Sequence, residues 1–207
     1  IVVFTSLLKK LYRGRFKMFT FDPEKHIYTL DEQEIPSVTS VLPYNFYGNA
    51  NESARVKGNY VHEMIRLYNL KELDEENLDE QLKPYLEAYL KFRENYHGEG
   101  ICDIKSGMPQ PADELQLAGY SLLVNEGLTE KGEKISIPAY EQPLYHPIYQ
   151  FAGTPDIVTG TKNVYAIYLT SNGTFRMVDH TKDLRRNIQI FLSFLTTFNW
   201  KKARVYE

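Results

Sequence analysis

The chain has few of the residues that crosslinks, metal–thiolate clusters and membrane spans require. Its 207 residues include one cysteine, Cys102, which excludes an intrachain disulfide and any site built from four cysteines of one chain. No apolar run approaches the ~20 residues of a transmembrane helix. Residues 1–17 carry their charges after an apolar stretch and are a poor match to a signal peptide. We therefore expect a cytoplasmic protein without a membrane partner.

The chain also lacks a large excess of charge of either sign. The net charge is −3, so the chain as a whole is not an electrostatic partner for nucleic acid. This disfavours a pure binding module, whereas an enzyme with a carboxylate metal site can be acidic. Residues 1–17 contain five basic residues and no acidic one. They are predicted to be a basic N-terminal extension, either added or an amphipathic arm, ahead of a single domain at 18–207.

Hydrophobic spacing alternates between helical and strand-like periods, which predicts an α/β fold with a mixed central β-sheet flanked by helices. A hairpin at residues 26–35 and a helical turn at 37–42 open the domain. Helices are predicted at 53–70, at 78–96 with Pro84 in the first turn, at 113–125 and from 181 to 200. Strands are predicted at 100–105, 134–137, 149–152, 156–159, 164–170 and 174–178.

The tripeptide Asp103-Ile104-Lys105 lies on a predicted strand, where alternate residues share a face. Asp103 and Lys105 therefore point the same way, while Cys102 and Ile104 point into the core. A carboxylate beside an amine suits a metal ligand next to an activating cation. The same pattern also fits a half-exposed edge strand with a local ion pair.

Three further features are unremarkable taken singly. Asp156 follows a Gly-Thr-Pro turn and could cap its own backbone. His62 lies one helical turn after Gly58, a residue that weakens a helix by ~1 kcal/mol and so has a packing or access role; a lone helical His is more often structural than a ligand. Gln116 and Tyr120 share a helix face and also fit a simple polar seam.

Together, these features resemble the RecB-like and phage-exonuclease branch of the PD-(D/E)XK nuclease superfamily. That branch carries a G-x-x-x-H helix, a G-x-x-D strand, a D-x-K strand and a Q-x-x-x-Y helix. The likeness covers about residues 18–202, including the opening hairpin, the Tyr145-His-Pro segment and the Asn-Trp-Lys end of the last helix. The four motifs are Gly58–His62, Gly153–Asp156, Asp103–Lys105 and Gln116–Tyr120.

The resemblance implies a restriction-endonuclease-like core and a metal-dependent deoxyribonuclease, an exonuclease of phage-type recombination or repair. Lys105 would position or deprotonate the attacking water and offset transition-state charge. Gln116 and Tyr120 would hold the DNA strand or brace Lys105. The implied ligands of Mg²⁺ or Mn²⁺ are Asp156, Asp103, the carbonyl of Ile104, His62 and, equally readable as a solvated strand residue, Glu141.

The implied partners are DNA, a single-strand annealing or other recombination protein, and further copies of this chain in a ring. Basic side chains near the predicted site are candidates for the DNA backbone, although each also fits a solvated helix face. These residues are Arg55, Lys57, Lys182, Arg185 and Arg186.

The order of the motifs departs from the family. There, the G-x-x-D strand precedes the D-x-K strand, but here Asp156 follows Asp103. The block 98–128 stands ahead of the block 129–160, so that Gly160 would otherwise join Gly100 and Leu128 would join Thr161. The order indicates a permuted gene or a connectivity that differs from that of the native chain. A site is defined by geometry and not by chain order, so the site prediction stands.

Other functions remain open from the sequence. A structure-specific or restriction-type endonuclease would use the same core, and cleavage of circular DNA would separate it from an exonuclease. A non-catalytic nucleic-acid-binding module has no need to keep all of Asp156, Asp103 and Lys105. A structural protein without any nucleic-acid role is the third alternative.

Overall fold

Short strands alternate with helices along residues 18–43, 46 and 52–205, the part of the chain that this computed structural model describes. The basic segment 1–17 lies outside the described residues. The strands are β1 (Phe19–Asp22), β2 (Ile27–Leu30), β3 (Gln33–Ile35), β4 (Ile101–Lys105), β5 (Ala139–Tyr140), β6 (Leu144–Tyr145), β7 (Ala152–Gly153), β8 (Ile157–Val158), β9 (Val164–Leu169) and β10 (Phe175–Asp179). The helices are α1 (Val38–Val41), α2 (Glu52–Leu70), α3 (Lys83–Asn95), α4 (Pro111–Glu126) and α5 (Leu184–Val205), the last preceded by a 3₁₀ turn at Thr181–Asp183.

A five-stranded mixed sheet organises the structure, in the order β10-β9-β4-β8-β5. Strands β4 and β9 are parallel, whereas β8 runs antiparallel to β4 and β10 antiparallel to β9. The predicted turn at Asn172-Gly173 joins β9 to β10, and Gly173 has a φ of 73°, a conformation that favours glycine. The predicted α/β class, with a mixed sheet flanked by helices, is confirmed.

Strands β4 and β9 carry buried side chains on both faces, so helices or loops cover both faces of the sheet. One face packs against α4 and α5 through a cluster that includes Ile101 and Ala166. The other packs against α2 and α3 through a cluster that includes Cys102 and Ile104. The core positions predicted for Cys102 and Ile104 are confirmed. Of the helices in the described ranges, none has the length and apolar character needed to cross a bilayer.

The N-terminal strands form a separate three-stranded antiparallel sheet, in the order β1-β2-β3. The predicted hairpin is confirmed, with a tight turn in which Asp31 and Glu32 both have positive φ. The predicted helical turn at 37–42 is α1, whose first residues are capped by mutual hydrogen bonds between Ser37 and Ser40. A hydrogen bond of 2.9 Å between the hydroxyls of Tyr28 and Thr154 ties this sheet to the loop before β8.

Three predicted elements are wrong in their bounds. Residues 134–137 are irregular, and the strand there is instead β5, which begins after Pro138, a residue that cannot donate to a sheet ladder. Of the predicted strand 149–152, only Ala152 belongs to a strand, because Tyr149 lies in a turn whose amides at Ile148 and Tyr149 donate to the ring of His146. The helix predicted from residue 78 begins at Lys83, because residues 79–82 form a turn closed by the Leu82 amide.

Candidate active site

The carboxyl end of β4 carries the first two site residues. Asp103 is 2% exposed, and its Oδ2 lies 2.7 Å from the ammonium of Lys105. The two side chains share a face, as the alternation of a strand requires. The carboxyl ends of parallel strands are where α/β sheets commonly bind ligands. The sequence-predicted pair therefore forms a buried ion pair at a position suited to chemistry.

Asp156 joins this pair from the neighbouring strand. The register of β4 and β8 pairs Cys102 with Ile157, and its continuation by one step sets Asp156 opposite Asp103. The Oδ2 of Asp156 accepts a 2.5 Å hydrogen bond from the amide of Ile104. The register thus sets two aspartates that are far apart in the sequence opposite each other.

Gln116 and Tyr120, on α4, complete a hydrogen-bond network. Gln116 Oε1 accepts from the Lys105 ammonium at 2.7 Å, and Nε2 donates to Tyr120 OH at 2.9 Å and to Asp103 Oδ1 at 3.3 Å. Gly153 permits this arrangement, because a Cβ there would lie 2.9 Å from the ring of Tyr120. Gln116 is therefore positioned to brace Lys105, which is one of the two roles predicted for it.

His62 and Glu141 both contact Asp156. The Nδ1 of His62, on α2, lies 3.5 Å from Asp156 Oδ1. One turn earlier, Gly58 faces the Ser106 hydroxyl, which would be 3.5 Å from an added Cβ. Glu141 donates its amide to the carbonyl of Asp156 at 3.0 Å and has a φ of 46°, unusual for a residue with a side chain. Both predicted residues therefore lie beside Asp156.

Burial and the concentration of charge perturb the ionisation of this group. Burial, opposed by Lys105 and helped by Asp156, raises the pKa of Asp103 to about 6. Burial and the charge of Asp156 raise the pKa of Glu141 to about 7. Burial alone would lower the pKa of Lys105, but Asp103 and neighbouring carboxylates outweigh it and raise that pKa. The site thus disfavours a full set of ionised carboxylates and favours added positive charge.

Asp113 contacts the network but carries no signal of this in the sequence. Asp113, in the first turn of α4, is 4% exposed, and its Oδ1 lies 3.8 Å from the Lys105 ammonium. Its Oδ2 accepts hydrogen bonds from Tyr168 OH at 2.7 Å and from the Gln110 amide at 2.8 Å. Acidic residues are common in first turns, where the helix dipole favours them. Because this local explanation is sufficient, the sequence gives no reason to predict a contact between Asp113 and Lys105.

The N-terminal sheet also reaches the site. Tyr28 OH bonds to Thr154, two residues before Asp156, and lies 3.3 Å from His26 Nε2. Burial, opposed by the Thr154 hydrogen bond and helped by Asp156, raises the pKa of Tyr28 to about 12. No motif in the sequence marks this contact, because it depends on how the small sheet docks.

The side chains of the site meet some of the requirements of a divalent cation. Within residues 18–43, 46 and 52–205, no three His, Cys, Asp or Glu side chains gather closely enough to hold a metal ion by themselves. Mg²⁺, however, is commonly bound through one or two carboxylates together with waters and substrate phosphates. Asp103 Oδ2 is buried without an aligned hydrogen-bond donor, although Lys105 is close. The pair Asp103 and Asp156 fits such a cation; the predicted ligation by Ile104, His62 and Glu141 stays a prediction.

The basic residues predicted to contact DNA lie on α2 and around the start of α5. Arg55 and Lys57 belong to the first turns of α2, where Arg55 pairs with Glu52 and Lys57 lies over the ring of Tyr85. At the start of α5, Lys182 and Arg185 are exposed. The third cation there, Arg186, pairs with Asp183 and lies 3.9 Å from Glu114 on α4. Their contact with DNA stays a prediction.

The chain positions involved in the reversed motif order lie close together in space. Gly100 O accepts hydrogen bonds from the amides of Thr159 at 2.8 Å and Gly160 at 3.2 Å. The Asn125 side chain, near the end of α4, donates to Thr161 O at 3.1 Å. The junction Gly160–Gly100 that the family order requires is therefore short in this fold, and the end of α4 lies beside Thr161.

Comparison with known proteins adds no relative. Models of known protein families give no match to this chain, and curated proteins give none either. The resemblance to the PD-(D/E)XK superfamily therefore remains a prediction from the motifs.

Proposed function

We propose that this protein is a divalent-metal-dependent deoxyribonuclease of the RecB-like, phage-exonuclease type. The observation that carries the proposal is the pair of buried carboxylates, Asp103 and Asp156, with the partly buried ammonium of Lys105 beside Asp103 at the carboxyl end of β4. Two buried carboxylates near one ammonium leave negative charge without a full counterion, which is costly in a core. A site that receives a cation and a phosphate compensates for that cost.

Different groups hold the two carboxylates in position. Asp156 is fixed by the Ile104 amide and contacts His62, while Asp103 contacts Lys105 and Gln116. Together they would hold Mg²⁺ or Mn²⁺. When bound, the cation supplies Lewis-acid polarisation of the phosphate and a more acidic water.

Lys105 acts as a donor in this proposal. Because neighbouring carboxylates outweigh burial and raise the pKa of Lys105, the ammonium form predominates at neutral pH. An ammonium can orient the attacking water and offset negative charge on the phosphate, whereas it cannot accept a proton. Of the two roles that the resemblance implies for Lys105, positioning and charge compensation are favoured over deprotonation.

Gln116 and Tyr120 keep the ammonium in place. Gln116 joins Lys105, Asp103 and Tyr120 in one network, so rotation of any one side chain disturbs the others. Burial and the nearby carboxylates raise the pKa of Tyr120 well above its usual value. Its hydroxyl therefore keeps its proton at neutral pH and remains a hydrogen-bond donor for a substrate oxygen.

The proposed family membership gains support from the positions of the reversed motifs. Residues of the four motifs contact one another despite their order, and at one of the points where the blocks would rejoin, Gly160 and Gly100 are hydrogen-bonded neighbours. Exonuclease action is proposed from the resemblance, with a single-strand annealing or other recombination protein and further copies of this chain as partners.

The test is degradation of DNA under metal control. Linear duplex, single-stranded and circular DNA are each incubated with the protein in Mg²⁺, in Mn²⁺ or in EDTA. We expect metal-dependent loss of the linear substrates and survival of the circle. Lys105→Ala should lower the rate by about 10³-fold, because both the ammonium and its charge are lost.

The matched control is Lys83→Ala, which removes an exposed lysine paired with Glu80. This variant should retain the parental rate. Cleavage of the circle would favour the endonuclease alternative. Equal rates in the parent and Lys105→Ala, or no cleavage under any metal condition, would reject the proposed function.

A further inference from the structure

Lys105 has more anionic neighbours than its own motif supplies. An ammonium has three N–H donors, and two acceptors, Asp103 Oδ2 and Gln116 Oε1, each lie 2.7 Å away. The carboxylate of Asp113 is a third neighbour at 3.8 Å, beyond hydrogen-bond distance. The Asp103 and Asp113 carboxylates thus reach one ammonium from different elements, β4 and α4.

Asp113 is itself rigidly held. Tyr168 OH and the Gln110 amide both donate to its Oδ2, which leaves Oδ1 towards Lys105. Tyr168, on β9, is the register partner of Lys105 on β4. The carboxylate of Asp113 is therefore fixed relative to the strand pair that carries the reacting residues.

Asp103 faces two competing demands if the proposed function holds. It is the main counterion of Lys105, and it is also one of the two carboxylates that would hold a divalent cation. A carboxylate engaged by a divalent cation has less negative charge to offer an ammonium. Lys105 then needs another anion if it is to stay charged and in place.

We propose that Asp113 is the positioning residue that retains Lys105 when Asp103 is drawn to the cation. This inference rests on the proposed function. The ammonium moves by about 1 Å, from hydrogen-bond distance to Asp103 towards hydrogen-bond distance to Asp113, while Gln116 keeps its contact. Tyr168 holds the receiving carboxylate still during that exchange.

The test needs neither metal nor DNA. Asp103→Asn removes the negative charge that a cation would engage, and the ¹⁵Nζ–H signal of Lys105 in ¹⁵N-lysine-labelled protein reports whether its ammonium is held. Hydrogen bonding slows exchange with water and makes such a signal visible. Lys105→Ala identifies the signal. We expect it to persist in Asp103→Asn and to be lost in Asp103→Asn/Asp113→Asn.

The matched control is Asp103→Asn/Glu114→Gln, which removes the adjacent acid from the same helical turn. Because Glu114 contacts Asn187 and Arg186 rather than Lys105, the signal should persist. Asparagine at position 113 can still accept from Tyr168 and the Gln110 amide, so folding is preserved. A signal that is already lost in Asp103→Asn, or that survives in the Asp113 double variant, overturns the proposal.

Kinetics separate this inference from the proposed function. In an active parent, Asp113→Asn should lower kcat by 10-fold or more, in the range of a lost positioning contact, with KM unchanged and Mn²⁺ affinity retained. An active parent whose kcat is insensitive to Asp113→Asn rejects the positioning role alone. An inactive parent rejects the nuclease, while the labelled-lysine spectra still decide whether Asp113 holds Lys105.

Discussion

The two faces of β4 show how one short strand serves both stability and chemistry. Cys102 and Ile104 are fully buried among apolar side chains of α2 and α3. On the opposite face, Asp103 is equally buried, but its neighbours are Lys105 and polar groups of α4. Burial alone therefore does not distinguish the faces; the chemistry of the contacts does.

The difference lies in how each face is stabilised. The apolar face gains from the removal of surface from water, which is non-directional and tolerates changes in packing detail. The polar face depends on directional partners brought from α4, β8 and β9. A change on one face should therefore affect folding, whereas a change on the other should affect activity.

Asp103→Asn gives the largest expected separation of activity from stability. The rate of DNA cleavage should fall by at least about 100-fold, because a proposed metal ligand is lost. Since burial raises the pKa of Asp103 to about 6, the ionised carboxylate is penalised at pH 8, and its neutral replacement should raise the melting temperature of the metal-free protein. Cleavage assays and thermal melting in EDTA check both. A large drop in melting temperature would contradict this view of the polar face.

Ile104→Ala makes the opposite change on the same strand. Removing a fully buried branched side chain should lower the free energy of unfolding by ~2–5 kcal/mol, while the folded fraction keeps most of its activity. Denaturant unfolding gives the first quantity. Ile167→Ala is the matched control, because Ile167 pairs with Ile104 in the β4–β9 register and lies in the same cluster. An activity loss as large as that of Asp103→Asn would remove the distinction between the faces.

The pH dependence of stability should follow the polar face. Burial raises the pKa of Asp103 to about 6 and that of Glu141 to about 7, whereas both titrate near pH 4 when unfolded. Their stabilising contribution is thus complete below about pH 4 and is lost as pH rises through 6–7. In EDTA, the melting temperature should fall by roughly 5 °C between pH 5 and pH 8, and Asp103→Asn should flatten that slope. An unchanged slope in Asp103→Asn would contradict the assignment.

Restoring the family order of segments should change stability and metal dependence the least. The contacts on both faces of β4 depend on where residues lie in space and not on the order of segments in the chain. A chain ordered 1–99, 129–160, 100–128 and 161–207 joins Gly160 to Gly100, where the Gly160 amide already donates a 3.2 Å hydrogen bond to the Gly100 carbonyl. It also makes the junctions Glu99–Thr129 and Leu128–Thr161. We expect a melting temperature within about 5 °C of the parent and the same metal dependence. A control that cuts within α4, after Ala118, should not fold. Failure of the first reordered chain to fold would show that connectivity matters more than the site geometry suggests.

Much of this architecture is readable from the sequence where periodicity is long. The apolar spacing of α2 and α5 and the turn between β9 and β10 were predictable from periodicity and turn residues, whereas the placement of Asp156 opposite Asp103 was suggested only by the motif resemblance. Strands of two residues, such as β5 and β7, are too short to show a period and are defined by their partners. Asp113 was hidden because a first-turn acid has a sufficient local explanation, and Tyr28 because its contact depends on docking of the small sheet.

Binding of Mn²⁺ to the metal-free protein shows whether Asp103 and Asp156 share a cation. Electron paramagnetic resonance of free Mn²⁺ gives the number of ions bound per chain. We expect one tightly bound ion in the parent, with affinity lower by about ten-fold or more in Asp103→Asn and likewise in Asp156→Asn. Glu114→Gln, a nearby acid outside the pair, should bind like the parent. Absence of binding, or binding that neither substitution weakens, would contradict a cation shared by these two carboxylates.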